Sequence, residues 1–271
     1  MPMWSEGKVE ANSINMHYYR TGARNRPSIL LLHGITDNGL CWPCVADELA
    51  SSYDVITTDA RGHGQSGASA DFSIALLADD AAAVIRTLGL EKPFVWGHSM
   101  GAITAAVLAA NYPDLVRAVV LEDPPLRGRP QFVTNEEQQV WQGWQWLFDL
   151  RALPRAERVV RGFAINPGWA EEEIPPWADS KAEMNIGILE PALVAVNDIQ
   201  WREIIACIQC PILLITGDPR LHAIVTPEAA QEAAKLWKNG EVVNVAGAGH
   251  NIHRDRFAET MAAVRAFLNR T

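Results

Sequence analysis

The most constraining feature of the sequence is a short motif, Gly97-His98-Ser99-Met100-Gly101, set between two contrasting segments. An apolar run, Phe94–Trp96, precedes the motif, and an alanine-rich stretch, Ala102–Ala110, follows it. This order predicts a strand that turns sharply into a helix and presents Ser99 at the turn. The glycines leave room where strand and helix nearly touch. The N-terminus of the helix favours negative charge that develops beside the serine. The motif therefore predicts a nucleophilic serine at the edge of a sheet.

Short apolar runs alternate with helical patterns along most of the chain. After a leading hairpin, Val9–Ala11 and Ile14–Tyr19, the runs are Ser28–Leu32, Val55–Thr58, Phe94–Trp96, Ala118–Leu121, Ile212–Thr216 and Val242–Val245. Such runs are typical of strands buried on both faces. Helical spacing appears at Ile74–Leu88, Ala102–Ala110, Pro227–Leu236 and Arg256–Leu268. The alternation predicts an α/β fold with a mostly parallel, doubly wound sheet of eight strands.

One long stretch, from residue 124 to 206, interrupts this alternation. It contains six of the ten tryptophans, and an apolar helical face formed by Val140, Trp141, Trp144, Leu147 and Phe148. We predict a helical cap inserted after the sixth strand, with the sheet domain formed by residues 1–123 and 207–271. Most of the tryptophans are expected to pack the cap onto the sheet domain. Because ligand sites favour aromatic walls at domain junctions, Trp144 and Trp177 are predicted to contact substrate.

A serine hydroxyl needs a nearby base to act as a nucleophile. Of the seven histidines, His250 is the best candidate, because it follows the last strand in a glycine-containing loop that can reach the sheet edge. His253 is the alternative, although its position predicts the start of the final helix. His98 and His63 lie in tight turns, where structural roles are expected.

A tetrahedral intermediate needs hydrogen-bond donors for its oxyanion. The run that begins at Leu30 ends in His33-Gly34-Ile35. We predict that the backbone N–H groups of Ile35 and Met100 form this oxyanion hole. His33 is expected to brace the loop rather than to react.

Five motifs occur in an order that resembles the α/β-hydrolase family, in particular its capped serine hydrolases. They are His33-Gly34, Asp59-Ala-Arg-Gly62-His-Gly64-Gln-Ser66, Gly97-His-Ser99-Met-Gly101, Tyr112-Pro-Asp114 and Gly247-Ala-Gly-His250. The resemblance covers essentially the whole chain except the cap. It implies the α/β-hydrolase fold and a catalytic serine, but it is poor evidence for substrate, because this fold supports many reactions.

The resemblance leaves the acid of the catalytic triad open. The family commonly places this acid three residues after Gly217, where this chain has Arg220, which cannot accept the imidazole N–H. Asp218 lies in the same loop. Asp123 ends an earlier strand, at the position from which haloalkane dehalogenases and zearalenone-type lactonases take their acid. We prefer Asp123, which is followed by two rigid prolines, and retain Asp218 as the alternative.

Net charge and the length of the apolar runs limit the classes of molecule that this protein is expected to bind. The formal net charge of −9 disfavours nucleic acid and anionic membranes. No apolar run is long enough to span a bilayer, and the first residues do not resemble a secretory signal, so a cytoplasmic monomer or homodimer is expected. Two Cys-x-x-Cys pairs, Cys41/Cys44 and Cys207/Cys210, are expected to be buried hydrophobic residues at opposite edges of the sheet rather than a metal or redox site. No metal or organic cofactor is expected.

The expected activity is hydrolysis of a carboxylic ester or lactone through an acyl-enzyme. An N-acyl homoserine lactone or another apolar lactone is one possibility, which the resemblance to lactone-opening members implies. Amide hydrolysis, C–C bond hydrolysis and cofactor-free perhydrolysis are alternatives on the same fold. Epoxide hydrolysis and dehalogenation are disfavoured, because enzymes with these activities need a carboxylate where this chain has Ser99. A non-catalytic protein that binds a small apolar ligand is a further alternative.

Overall fold

The computed structural model describes residues 4–69, 71–127 and 143–271. Its centre is an eight-stranded sheet with the order β1-β2-β4-β3-β5-β6-β7-β8. The strands are β1 Ser5–Ala11, β2 Ile14–Thr21, β3 Ser28–Leu32, β4 Asp54–Thr58, β5 Phe94–His98, β6 Ala118–Glu122, β7 Ile212–Thr216 and β8 Gly240–Asn244. β1 pairs with β2, and β2 with β4, in antiparallel orientation, whereas all later pairs are parallel. The predicted mostly parallel sheet is therefore confirmed.

Helices connect the strands and cover both faces of the sheet. They are α1 Pro43–Ala50, α2 Ile74–Thr87, α3 Met100–Asn111, α4 Gln145–Ala152, α5 Arg155–Ile165, α6 Ile174–Glu183, α7 Leu189–Asn197, α8 Trp201–Cys207, α9 Pro227–Ala234, α10 Ile252–Asp255 and α11 Phe257–Leu268. Side-chain hydrogen bonds cap the N-termini of α2 and α9. Ser73 Oγ accepts a hydrogen bond from the Leu76 N–H, and Thr226 Oγ1 accepts one from the Ala229 N–H.

The alternating side chains of the buried strands divide the core into two layers. Leu30, Val95 and Val119 face one layer, which α2, α3 and α9 cover. Ile29, Leu31 and other residues of the same strands face the second layer, which α1 and α11 cover. Because strand side chains point alternately to the two faces, a continuous apolar run is required for a sheet covered on both sides.

The last strand differs from its prediction. Val242–Val245 was expected to be buried on both faces, but β8 alternates between exposed and half-buried residues, and Val242 is 37% exposed. Among the described strands, β8 lies at the edge of the sheet and pairs only with β7. Its apolar run is short, and periodicity does not distinguish an edge strand from a central one.

The described helices between β6 and β7 form an insertion, as predicted. α4 to α7 include small apolar clusters of their own around Leu147 and Trp177. The last helix is different, because Trp201 and Ile205 of α8 belong to the main core beside α3. The assignment of residues 124–206 as a separate cap stays a prediction. Within the described ranges, no helix is both long enough and apolar enough to cross a membrane.

Candidate active site

The strand-to-helix turn holds Ser99 in a strained conformation. Ser99 has φ 53° and ψ −114°, and it lies between the end of β5 and the first residue of α3. Its N–H donates to the Glu122 carbonyl oxygen of the adjacent β6 at 2.9 Å. A positive φ in a residue other than glycine is uncommon and marks functional turns. The predicted elbow geometry at Ser99 is therefore present.

Two glycines make this turn possible. A Cβ atom added to Gly97 would lie 2.1 Å from the Gly101 carbonyl oxygen. A Cβ atom added to Gly101 would lie 2.0 Å from the Leu32 carbonyl oxygen of β3. The obstacles are backbone atoms, which cannot rotate away, so α3 can approach β5 this closely only with glycine at position 97, and β3 only with glycine at position 101.

His250 and Asp123 form a close pair. His250 Nδ1 lies 2.6 Å from Asp123 Oδ2. The buried Asp123 carboxylate also accepts hydrogen bonds from the N–H groups of Ile224, at 2.7 Å, and Val225, at 2.9 Å. These backbone donors fix the orientation of the carboxylate, and the carboxylate in turn fixes the imidazole ring.

Asp218, the alternative acid, has other contacts. Its carboxylate accepts hydrogen bonds from the backbone N–H, Nε and Nη2 of Arg220. These hydrogen bonds lower the pKa of Asp218 below its ordinary value. Asp218 precedes a 3-10 turn, Pro219–Leu221, and acts as its N-terminal cap. The structure thus brings Asp123, rather than Asp218, to His250.

The alternative base, His253, faces the interior. Its ring stacks on Trp42 with centroids 4.6 Å apart, and its Nδ1 lies 2.8 Å from Glu122 Oε1. Glu122 also accepts hydrogen bonds from the His253 N–H and from Trp96 Nε1. Burial alone would raise the pKa of Glu122, but His253 and His98 hold it at about 2. Sequence reasoning did not find this second carboxylate–imidazole pair, although strand alternation turns Glu122 and Asp123 to opposite faces.

The loop that carries Ile35 is braced by two histidines. His33 Nδ1 donates to the Gly34 carbonyl oxygen at 2.7 Å, while His33 Nε2 accepts the Ala60 N–H at 2.9 Å. Burial lowers the pKa of His33 to about 4, so this ring is neutral near pH 7. His63 Nε2 lies 2.7 Å from the Ile35 carbonyl oxygen. Met100, the other predicted oxyanion donor, is the first residue of α3, where backbone N–H groups lack helical partners.

Ser99 and His250 line one cavity of about 290 Å³. Ile35 and the bracing loop form one side, and four tryptophans of the insertion form another. The tryptophans are Trp144, Trp146, Trp169 and Trp177. Trp144 and Trp177 were predicted at such a pocket, whereas Trp146 and Trp169 were not singled out. Trp141 lies outside the described residues.

A larger groove, of about 700 Å³, lies beside β8, and its described lining does not include Ser99, His250 or Asp123. We therefore place the candidate site in the smaller cavity, because it contains the reactive side chains.

The cysteines contribute no reactive thiolate near this cavity. All four are free, and the expectation that all of them are buried is wrong for Cys207, which is exposed. Burial raises the pKa of both Cys41 and Cys44 to about 12. At neutral pH these two thiols are protonated, which makes them poor nucleophiles and poor metal ligands. In the described part of the chain, no group of three or more His, Cys, Asp or Glu side chains could hold a metal ion.

Comparison with known proteins gives the family. A model of the alpha/beta hydrolase fold matches residues 27–257. The chain belongs to the alpha/beta hydrolase fold family. The resemblance inferred from the motifs is thereby confirmed, and the match includes both Ser99 and His250.

The relatives of this hydrolase act on different bonds. The chain is 28% identical to an N-formylmaleamate deformylase from Pseudomonas putida, over 97% of this chain and 96% of the relative. It is 27% identical to a 2-(acetamidomethylene)succinate hydrolase from Mesorhizobium japonicum, over 97% of this chain and 94% of the relative. A Caenorhabditis elegans epoxide hydrolase is 23% identical over 98% of this chain and 71% of its own length.

A solved structure agrees with this assignment. The structure of the N-formylmaleamic acid deformylase of Pseudomonas putida S16 superposes on this chain with a TM-score of 0.81 at 25% identity. The superposition covers 96% of this chain and 100% of the deformylase chain. The relatives named above are a deformylase, an epoxide hydrolase and a hydrolase of 2-(acetamidomethylene)succinate, so the substrate differs from one to the next.

Proposed function

We propose that this protein is a serine hydrolase in which Ser99, His250 and Asp123 form the catalytic triad. The observation that carries the proposal is the 2.6 Å contact between His250 Nδ1 and Asp123 Oδ2, on a histidine that lines the same cavity as Ser99. With Nδ1–H bound to the carboxylate, Nε2 is free to accept the Ser99 proton.

The proposed reaction has two stages. Ser99 Oγ attacks the substrate carbonyl carbon while His250 takes its proton, and the oxyanion binds the N–H groups of Ile35 and Met100. His250 then returns the proton to the leaving group, which leaves an acyl-enzyme. A water molecule, activated by His250, attacks the acyl carbon and releases the acid and Ser99.

The preferred substrate is a small carboxylic ester or lactone with an apolar acyl or ring portion. The tryptophan walls support an apolar substrate, and a cavity of about 290 Å³ supports a small one. A serine at the elbow supports attack on a carbonyl group rather than on an epoxide, because epoxide opening by a serine hydroxyl would form an ether, which water cannot easily cleave.

A second candidate is hydrolysis of an amide. The two full-length relatives named above are a deformylase and a 2-(acetamidomethylene)succinate hydrolase, which favours an amide carbonyl. The same triad serves both reactions, since His250 can protonate a leaving nitrogen as well as a leaving oxygen. The difference lies in the leaving group rather than in the nucleophile.

A panel of substrates tests both candidates. Short aryl esters, N-acyl homoserine lactones, larger apolar lactones and N-formyl or N-acetyl enamides would be compared by acid release. We expect turnover of at least one class, and its loss by a factor of about 10³ or more in Ser99→Ala, because removal of the nucleophile leaves only binding and oxyanion stabilisation. Ser51→Ala, at an exposed serine after α1, is the control and should retain full activity.

The outcomes separate the alternatives. Lactone or ester turnover above amide turnover supports the preferred substrate, and the reverse supports the second candidate. Turnover that persists in Ser99→Ala contradicts the assignment of the nucleophile. If wild-type protein hydrolyses nothing and a fluorophosphonate does not label Ser99, the proposal fails in favour of a ligand-binding protein.

A further inference from the structure

At the edge of the cavity, a buried cluster of charged side chains joins the insertion to the loop that carries Ile35. Asp37 lies on this loop, two residues after Ile35, and is 5% exposed. Its Oδ1 lies 2.6 Å from Lys181 Nζ, and its Oδ2 lies 2.8 Å from Arg254 Nη2. Asp37 therefore connects two cations that come from distant parts of the chain.

Lys181 reaches this loop from α6 of the insertion. Its side chain is fully buried, and its Nζ donates to the Thr36 carbonyl oxygen at 3.0 Å and to Thr36 Oγ1 at 3.1 Å. The same ammonium lies 4.7 Å from the ring centroid of Trp177, which lines the cavity. One cation thus contacts both the loop backbone next to Ile35 and an aromatic wall of the pocket.

Arg254 makes the corresponding connection from the histidine side. It lies four residues after His250, and its Nη1 donates to Asn251 Oδ1 at 3.1 Å. Its Nε lies 3.2 Å from Glu173 Oε2, in the turn before α6, and its guanidinium lies 4.9 Å from the ring centroid of Trp169. The cluster therefore contacts the loop that carries Ile35, the tryptophan wall of the cavity and the loop that carries His250.

The charges within the cluster balance. Lys181 and Arg254 are the cations, and Asp37 and Glu173 are the anions. Burial alone would raise the pKa of Asp37, but Arg254 and Lys181 hold it well below its ordinary value. A buried, balanced cluster is costly to break at one member, because the remaining charge is left without a partner.

We propose that Lys181 is a positioning residue, which holds the loop containing Ile35 in its oxyanion-binding geometry through Asp37 and the Thr36 carbonyl oxygen. The catalytic part of this inference rests on the proposed function, whereas the structural part does not. Without Lys181, Asp37 and Thr36 Oγ1 lose their contact with α6. Among its described side-chain donors, the Thr36 carbonyl oxygen keeps only Ser180 Oγ, at 3.1 Å, and that hydroxyl also donates to the Trp177 carbonyl oxygen at 2.7 Å. The Ile35 N–H then moves relative to Ser99, and small displacements at a reacting centre greatly reduce the reaction rate.

Lys181→Met tests the proposal, because methionine keeps an unbranched apolar chain and removes the ammonium. Hydrogen exchange should become at least about tenfold faster for amides in residues 33–38. The value of kcat should fall about 10- to 100-fold, with a smaller change in KM, since transition-state contacts are affected more than substrate binding. Arg155→Met is the matched control, because it removes an exposed cation of α5 that pairs with Asp179 of α6, the helix that carries Lys181. It should leave exchange at residues 33–38 and kcat unchanged.

The double variant Asp37→Asn/Lys181→Met separates positioning from stability. It leaves Arg254 paired with Glu173, so the cluster is again balanced and Tm should recover toward the wild-type value. The Thr36 carbonyl still lacks its ammonium donor, so fast exchange and low kcat should persist. This variant also provides the test if Lys181→Met alone does not fold.

Two results would overturn the proposal. The first is wild-type hydrogen exchange at residues 33–38 in a folded variant that lacks Lys181. The second is a double variant in which exchange, kcat and Tm all recover together, which would mean that Lys181 contributes only stability. If the wild-type protein hydrolyses nothing, the proposed function fails, and hydrogen exchange alone still decides whether Lys181 holds the loop.

Discussion

At the scale of single residues, the end of β6 shows how adjacent side chains acquire different environments. Glu122 and Asp123 are neighbours, yet Glu122 contacts His253 in the core and Asp123 contacts His250 beside the cavity. Asp123 has φ 44°, which turns the chain at the end of the strand. Each carboxylate thus has its own imidazole, and only one of the two imidazoles lines the cavity with Ser99.

Asp123→Asn should reduce kcat by about 10³- to 10⁴-fold, while the fold is retained. An amide in place of the carboxylate favours the wrong tautomer of His250 and does not stabilise its imidazolium form. Asp218→Asn is the matched control, because Asp218 caps a turn and contacts Arg220. It should keep kcat within a few-fold of wild type. Steady-state kinetics on the best substrate of the panel would measure kcat for both variants. A large loss of kcat in Asp218→Asn would contradict the assignment of Asp123 as the acid.

At the scale of elements, the site depends on how closely α3 approaches β3 and β5. Neither Gly97 nor Gly101 has room for a Cβ atom, and the atoms that stand in the way belong to the backbone. The turn residue Ser99 is therefore held by two elements that cannot separate without loss of core packing. This contact converts a local sequence motif into a rigid position for the serine hydroxyl.

Gly101→Ala should destabilise the protein by about 3 kcal/mol or more, because the methyl group would overlap backbone atoms of Leu32. Labelling of Ser99 by a fluorophosphonate should slow at the same time. Gly168→Ala is the control, since a Cβ atom there has nothing within 4 Å. Urea unfolding would compare the free energies of unfolding of the two variants. Equal values for Gly101→Ala and Gly168→Ala would contradict the prediction, because they would show that α3 can shift without loss of stability.

At the scale of the whole molecule, buried neutral histidines couple stability to pH. His98 Nε2 donates to the His250 carbonyl oxygen at 2.9 Å, and burial lowers the pKa of His98 to about 3. The unfolded chain binds a proton at this residue below pH 6.5, whereas the folded protein does not until about pH 3. Stability from this group is therefore full above pH 6.5 and is lost progressively as the pH falls toward 3.

His98→Gln should make stability less sensitive to acid. Between pH 7.5 and pH 5, the wild-type free energy of unfolding should fall by about 2 kcal/mol more than that of the variant, which has no proton to bind at this position. The exposed His222→Gln is the control and should keep the wild-type slope. Denaturant unfolding at several pH values measures the slopes, and parallel wild-type and His98→Gln curves would refute the assignment.

Much of the architecture follows from sequence because its signals are local. The apolar runs predict the central strands Ser28–Leu32 and Ile212–Thr216 with the observed bounds, and the glycine–serine motif predicts the sharp turn at Ser99. These features depend on residues within a few positions of each other, where hydrophobic periodicity and backbone sterics apply directly. The edge position of β8 is not local, and its exposure was accordingly not predicted.

Local sequence patterns were enough to predict the sheet, the turn that presents Ser99, and the insertion rich in tryptophan. Tertiary structure alone decided that Asp123 rather than Asp218 meets His250, and that His253 turns to Glu122 in the core. It alone brought Lys181 to Asp37, 144 positions earlier in the chain. The physical reason is that periodicity reports which face of an element is apolar. The partner of a charged group depends on where distant elements end, and on which buried charge would otherwise lie unpaired.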